Sequence, residues 1–222
     1  MQKVNYQRVM EDIVRKEEET GHRPRLLLHT CCAPCSSSVL EYLCAHFDVT
    51  CYDYNPNISP YEEFEKRVRE LERLTHEMPL PSQPEVLVGA YDAERFEALS
   101  KGLEDVPEGG VRCFACYRLR LEETARVAKE QGFDYFTTTL SVSPYKNAAK
   151  LNALGGELAE EYGVPYLFSD FKKNDGYLRS IRLSAIYHLY RQNYCGCIYS
   201  KRQAEEKLRQ KTLTERVDDI AR

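Results

Sequence analysis

Seven of the nine cysteines in this chain fall into three tight groups: Cys31, Cys32 and Cys35; Cys113 and Cys116; Cys195 and Cys197. In a reducing compartment, thiols spaced this closely bind metal or carry out redox chemistry rather than build a disulfide framework. Cys32 and Cys35 alone would form the CxxC of a thioredoxin-like dithiol, but Cys31 directly before them is foreign to that motif. Each of the two later pairs puts two sulfurs on one short loop. Together they make a four-sulfur set suited to tetrahedral zinc or to an iron–sulfur cluster. Seven thiols exceed what one four-coordinate centre can use. The remainder is either a redox dithiol or a second metal with incomplete protein ligation and room for a substrate atom. The CxxxCxxC spacing of radical-SAM enzymes is absent. Cys44 and Cys51, isolated in a helical and a strand-like run, read as small buried hydrophobes.

The elements that must position these groups alternate in type. β-rich runs at 25–29, 49–54, 85–89, 135–139 and 166–169 predict five strands. Helical patterns lie between and after them at 36–46, 60–76, 93–100, 116–131, 148–162 and 177–190, with Gly132 and Gly163 as stop signals. This alternation predicts an α/β domain around a mostly parallel sheet. The first cysteine group then follows the first strand and opens the first helix, where open α/β sheets place their ligands and where helix amides favour anions. Residues 1–24 read as an N-terminal helical extension and 201–222 as a charged C-terminal helix with seven basic and five acidic residues. The Pro-rich 78–84 and Gly-rich 102–110 stretches read as surface connections, so the expectation is one domain over 1–222.

Composition narrows the class further. The chain has 222 residues, 42% hydrophobic and 30% charged, with a mean hydropathy of -0.57. These values exclude disordered and fibrous proteins. No run approaches the roughly 20 apolar residues of a membrane span, and the charged N-terminus lacks the apolar core of a signal peptide. A cytoplasmic protein without a membrane partner is expected. A net charge of -4 confines any nucleic-acid contact to a local patch.

Six segments in chain order resemble the QueH family of epoxyqueuosine reductases. They are LLHTCCAPC at 27–35, YNPNI at 54–58, RCFACYR at 112–118, TTLSVSPYKN at 138–147, FSDF at 168–171 and YRQNYCGC at 190–197. All seven grouped cysteines fall within them. The resemblance implies a doubly wound parallel sheet of the adenine-nucleotide α-hydrolase-like (HUP) architecture. It also implies the last step of queuosine synthesis, reduction of the epoxide of epoxyqueuosine at the tRNA wobble position to an alkene. The family carries a 4Fe-4S cluster with an additional iron nearby, so an external one-electron donor is a required partner. Cysteines occupy the place where ATP-pyrophosphatases of the superfamily carry a Gly-rich phosphate loop, which speaks against ATP chemistry.

With that resemblance, the pairing of cysteines on their loops assigns Cys113, Cys116, Cys195 and Cys197 to the cluster and Cys31, Cys32 and Cys35 to the iron. Tyr145, His29 and Asp53 are the candidate proton donors within the motifs. Ser143, Lys146 and Asn147 open a helix and are candidates for phosphate or ribose contact. Asn55 and Asn57 offer donor–acceptor pairs for a base edge or ring diol. Lys172, Lys173, Arg179, Arg182 and Arg191 bring positive charge ahead of the last cysteine pair, and the sixteen tyrosines are available for stacking on an extruded base. The rival readings are a dithiol oxidoreductase, an ATP-pyrophosphatase-like tRNA-thiolating enzyme and a zinc-stabilised RNA-binding module. Each differs in metal, colour or ATP use.

Overall fold

The computed structural model describes residues 4–220, the side chains of 212–220 excepted. Residues 1–3 and 221–222 of the expected terminal helices lie outside the described residues. Four strands form one all-parallel sheet: β1 (Arg25–Thr30), β2 (Asp48–Asp53), β3 (Glu85–Val88) and β4 (Tyr135–Thr138), in the order β3-β2-β1-β4. Eight helices accompany them among the described residues: α1 (Tyr6–Thr20), α2 (Ala33–Leu43), α3 (Tyr61–Glu77), α4 (Ala93–Ser100), α5 (Val111–Glu130), α6 (Ala148–Tyr162), α7 (Gly176–Ile186) and α8 (Ile198–Ile220). None of them is long and apolar enough to cross a membrane.

Period-two alternation along the strands feeds two apolar layers. Leu26, Leu28, Val49 and Cys51 pack with Met10 and Val14 of α1, Val39, Leu40 and Leu43 of α2 and Leu71 of α3. On the opposite face Leu27, Tyr52 and Phe136 meet Leu121, Ala125 and Ala128 of α5 and Leu151, Leu154 and Leu158 of α6. Helices therefore cover both faces, as an all-parallel sheet requires. Gly21 (φ 68°) closes α1 and Gly163 (φ 71°) closes α6, both in the left-handed region that glycine adopts without strain.

The expected fifth strand is reduced to one bridge, Phe136 to Tyr166. Beyond it a side chain takes the place of a neighbouring strand. The Asn152 amide donates to the Ser169 carbonyl at 2.8 Å and accepts from the Ser169 N–H at 2.9 Å. The helix expected over 177–190 ends at Ile186, and His188 turns the chain at φ 49°. The helix expected from 116 begins at Val111, which draws Cys113 into its first turn.

Strand order decides where the chemistry lies. From β1 the sheet grows through β2 to β3 on one side, while β4 joins on the other. The β1/β4 boundary is therefore the crevice where such sheets hold ligands, at the carboxyl ends of their strands. Cys31 leaves β1 at that point, with its Sγ 3.9 Å from Thr139 Oγ1 beyond β4.

Candidate metal centre

Each cysteine group sits at the start of a helix. Cys32 is the N-cap of α2, Cys113 lies in the first turn of α5, and Cys197 immediately precedes α8. The partial positive charge of a helix start favours negative charge on sulfurs placed there. The Gly109 N–H donates to Cys113 Sγ at 3.2 Å and the Ser200 N–H to Cys197 Sγ at 3.3 Å.

The sulfurs of Cys31, Cys32 and Cys35 all lie within 4.8 Å of one another, and those of Cys31 and Cys32 are 3.9 Å apart. A tetrahedral thiolate site with metal–sulfur bonds of about 2.3 Å spaces its sulfurs by about 3.8 Å. The triad thus has the dimensions of a single-ion site with a coordination position left over. Hydrogen bonds from Cys32 and Cys35 hold the Cys31 thiol well below its ordinary pKa, while the same contacts and burial push Cys32 and Cys35 up. One thiolate shared among three sulfurs is a ready ligand set, because a cation takes the place of the remaining protons.

Cys113, Cys116, Cys195 and Cys197 line a second, tightly closed cavity shared with Asn57, Tyr117, Arg120 and Lys146. Among the described residues these four do not draw together as tightly as the triad. Four thiols around one pocket match the ligand number of a 4Fe-4S cluster. Three polar atoms of the lining are buried without a partner: Asn57 Oδ1, Tyr117 Oη and Arg120 Nη2. Unpaired buried groups of this kind are costly unless a ligand meets them. Burial pushes the Cys116 thiol up to about 12 and raises Cys113 as well.

Buried cations surround both groups. Arg67, Arg112 and Arg120 are among the largest fully buried side chains, and Lys146 is 8% exposed. Arg67 pairs with Glu63 and donates from Nη1 to the Cys195 carbonyl at 3.1 Å. Arg112 donates to the carbonyls of Leu103 and Glu104 and lies 4.3 Å over the Tyr199 ring. Lys146 Nζ contacts Glu108 Oε1 at 2.9 Å. Cysteines that bind a metal do so as thiolates, and cations buried beside them would offset that negative charge in a medium where charge is costly.

The remaining sequence candidates divide sharply. His29 is fully buried, with Nδ1 2.8 Å from Thr138 Oγ1 and Nε2 3.2 Å from the Tyr54 carbonyl. Because only a donor satisfies that carbonyl, Nε2 carries the hydrogen and Nδ1 accepts from Thr138. Burial, with Arg120 nearby, lowers His29 to about 3, so it is neutral near pH 7. Asp53 is equally buried. Its Oδ1 accepts from Asn55 Nδ2 at 2.6 Å, its Oδ2 has no partner, and burial raises it to about 7. Asn55 also donates to the Thr30 carbonyl and accepts from Arg120. Asn57 faces the four-cysteine cavity. Lys146, a candidate for phosphate or ribose contact, lies buried at that cavity.

Ser143 Oγ accepts from the Tyr145 N–H in a turn, and Asn147 caps α6 by accepting from the Lys150 N–H at 3.0 Å. Tyr145 is 79% exposed. Arg179 is held by both oxygens of Glu41 at 2.8 and 2.6 Å on the exposed surface. Sequence reasoning missed Arg67, Arg112, Arg120 and Tyr117. Arg120 stands one helical turn after Cys116, a spacing that puts both on one face of α5 and was the available signal. Arg67, four positions after Glu63, has the pattern of an ordinary surface ion pair and carried none.

A family model described as epoxyqueuosine reductase QueH matches residues 26–203. The epoxyqueuosine reductase QueH of Staphylococcus epidermidis is 42% identical over 203 residues, covering 90% of this chain and 85% of that protein. That of Streptococcus pyogenes serotype M1 is 42% identical over 201 residues, with 90% and 79% covered. The Thermotoga maritima protein is 36% identical over 185 residues, with 82% and 93% covered. The matched span takes in both cysteine sites and every strand of the sheet between them, so the chain belongs to the QueH family of epoxyqueuosine reductases.

Proposed function

We propose that this epoxyqueuosine reductase removes the epoxide oxygen of the wobble nucleoside in tRNA with a 4Fe-4S cluster on Cys113, Cys116, Cys195 and Cys197 and a single iron on Cys31, Cys32 and Cys35. The overall change adds two electrons and two protons, breaks both C–O bonds of the epoxide, and leaves an alkene and water. When bound, the cluster passes electrons singly from an external one-electron donor and the iron polarises the epoxide oxygen. The compact triad of Cys31, Cys32 and Cys35, sized for one ion, beside a separate pocket lined by the other four cysteines, is the observation that supports the assignment.

The chain's own groups supply the rest. Asp53 keeps a proton to near-neutral pH, and its unpartnered Oδ2 makes it the preferred proton reservoir of the three candidates. His29, neutral and with both ring nitrogens engaged, ties the end of β1 to the segments after β2 and β4 and so fixes the approach to Cys31. Tyr145, exposed beside the buried Lys146, offers a face for stacking on an extruded base. The sheet order with helices on both faces supports the doubly wound, HUP-like architecture.

Iron and acid-labile sulfide counts on anaerobically purified protein test the reading. About five iron and four sulfide per chain, with a brown absorbance that bleaches under dithionite, are expected. Zinc without sulfide would sink it.

A further inference from the structure

Arg120 stands between the two cysteine groups. It projects from α5 one turn beyond Cys116, lines the four-cysteine cavity, and is 1% exposed. Its Nε donates to the Cys116 carbonyl at 3.3 Å, and its Nη1 donates to Asn55 Oδ1 at 3.3 Å. Asn55 in turn donates to the carbonyl of Thr30, the residue before Cys31. One guanidinium thus spans from the helix of the second cysteine group to the strand end that carries the first.

Its partners set it apart from the other cations. Arg67 has Glu63 and Lys146 has Glu108, whereas both acceptors of Arg120 are neutral and its Nη2 is unpartnered. Among the described residues no carboxylate pairs with it. The cysteines that share its pocket, Cys113, Cys116, Cys195 and Cys197, become anionic when they bind a metal. A buried cation without a counter-ion is costly, and anionic ligands around it are what make it tolerable.

We propose that Arg120 is a positioning residue whose fixed charge, set between the two cysteine groups, raises the reduction potential of the cluster in the four-cysteine cavity. The inference rests on the ligand reading above. One-electron reduction, with dithionite or a protein donor as the reductant, adds one negative charge to the cluster. In a medium of low dielectric a positive charge held nearby stabilises that added charge and favours the reduced form. A purely structural brace would leave the potential where it is.

Two substitutions separate charge from bracing. Arg120→Gln keeps hydrogen-bond donors and removes the charge, whereas Arg120→Lys keeps the charge and loses the planar fork. Each variant and the wild type would be counted for iron and sulfide, then titrated reductively with redox dyes and followed by absorbance and electron paramagnetic resonance. The expected result is a midpoint potential shifted to more negative values in Arg120→Gln at full cluster content, with Arg120→Lys close to the wild type. An unchanged potential in fully loaded Arg120→Gln would overturn the proposal. So would a shift in Arg120→Lys as large as that in Arg120→Gln. If Arg120→Gln fails to load, Arg120→Lys decides: the wild-type potential supports the role of charge, and a lowered one overturns it. A wild-type chain without sulfide overturns the parent reading and this inference with it, whereas a loaded wild type with indifferent variants overturns this inference alone.

Discussion

Arg67 of α3 donates from Nη1 to the carbonyl of Cys195, joining two residues 128 positions apart in sequence. The contact pins the last cysteine loop against the segment after β2, and a backbone bond from the Ser59 N–H to the Gly196 carbonyl at 3.0 Å reinforces it. Gly196 permits this docking. Its φ is 123°, and a Cβ there would meet Ile58 Cγ1 at 2.9 Å and Arg67 Nη1 at 3.1 Å. Gly196→Ala is therefore expected to cost roughly 1–3 kcal/mol and to lower iron and sulfide together, as read by thermal melting and metal analysis. A variant that melts with the wild type and loads fully would show that the loop does not depend on this contact.

The cysteine partition makes a quantitative claim about single substitutions. Cys113→Ser or Cys195→Ser is expected to remove most iron and the sulfide. Cys32→Ser is expected to retain the sulfide and lose about one iron per chain, since its sulfur belongs to the single-ion set. Loss of the whole cluster in Cys32→Ser together with its retention in Cys113→Ser would reverse the assignment.

Asp53 gives stability a pH dependence of known sign. Burial holds its carboxyl at about 7, against about 3.9 in an unfolded chain. Between those values the native state binds a proton that the unfolded state has released. The contribution of Asp53 is therefore full below about pH 4 and is lost as pH rises through 7. His29, lowered to about 3, contributes in the opposite sense, since its share is present above about pH 6.5 and is lost as pH falls toward 3. Asp53→Asn leaves the His29 share in place and removes the other. Urea unfolding at pH 4 and pH 8 should show the stability difference moving in favour of the variant by up to about 4 kcal/mol on going to the higher pH. A difference that stays flat would mean that Asp53 does not hold its proton.

Much of this fold was legible because β-rich runs and helical periodicity report directly on burial, and β1 to β4 fall within a residue or two of their expected bounds. The fifth strand was not legible. Residues 166–169 have strand-like composition, but the partner beyond the single bridge is a side chain, Asn152, and no local pattern announces a hydrogen-bond partner 17 positions away. The site divides in the same way. Thiols cluster in sequence because short loops present them, so all seven were visible. The arginines buried beside them come from helix interiors, where Arg67 reads as an ordinary surface ion-pair partner and Arg120 is marked only by its one-turn spacing from Cys116.

The placements of Lys146 and Tyr145 lead to different expectations for tRNA binding. Lys146 precedes a helix in a motif that looks suited to phosphate, yet its ammonium is buried against Glu108 at the cysteine cavity. A lysine that neutralises a phosphate contributes about one to the dependence of log affinity on log salt. Lys146→Gln should therefore leave that slope unchanged while lowering cluster content, because the cation it removes lies among the sulfurs. Tyr145, open to solvent, has no such internal role. Tyr145→Ala should load iron fully and weaken tRNA binding by about 1–3 kcal/mol at fixed salt, the worth of one base stacked on an aromatic ring. Filter binding of tRNA across a salt series reads both. A slope reduced by one in Lys146→Gln would return that lysine to the phosphate backbone, and wild-type affinity in Tyr145→Ala would remove the stacking role.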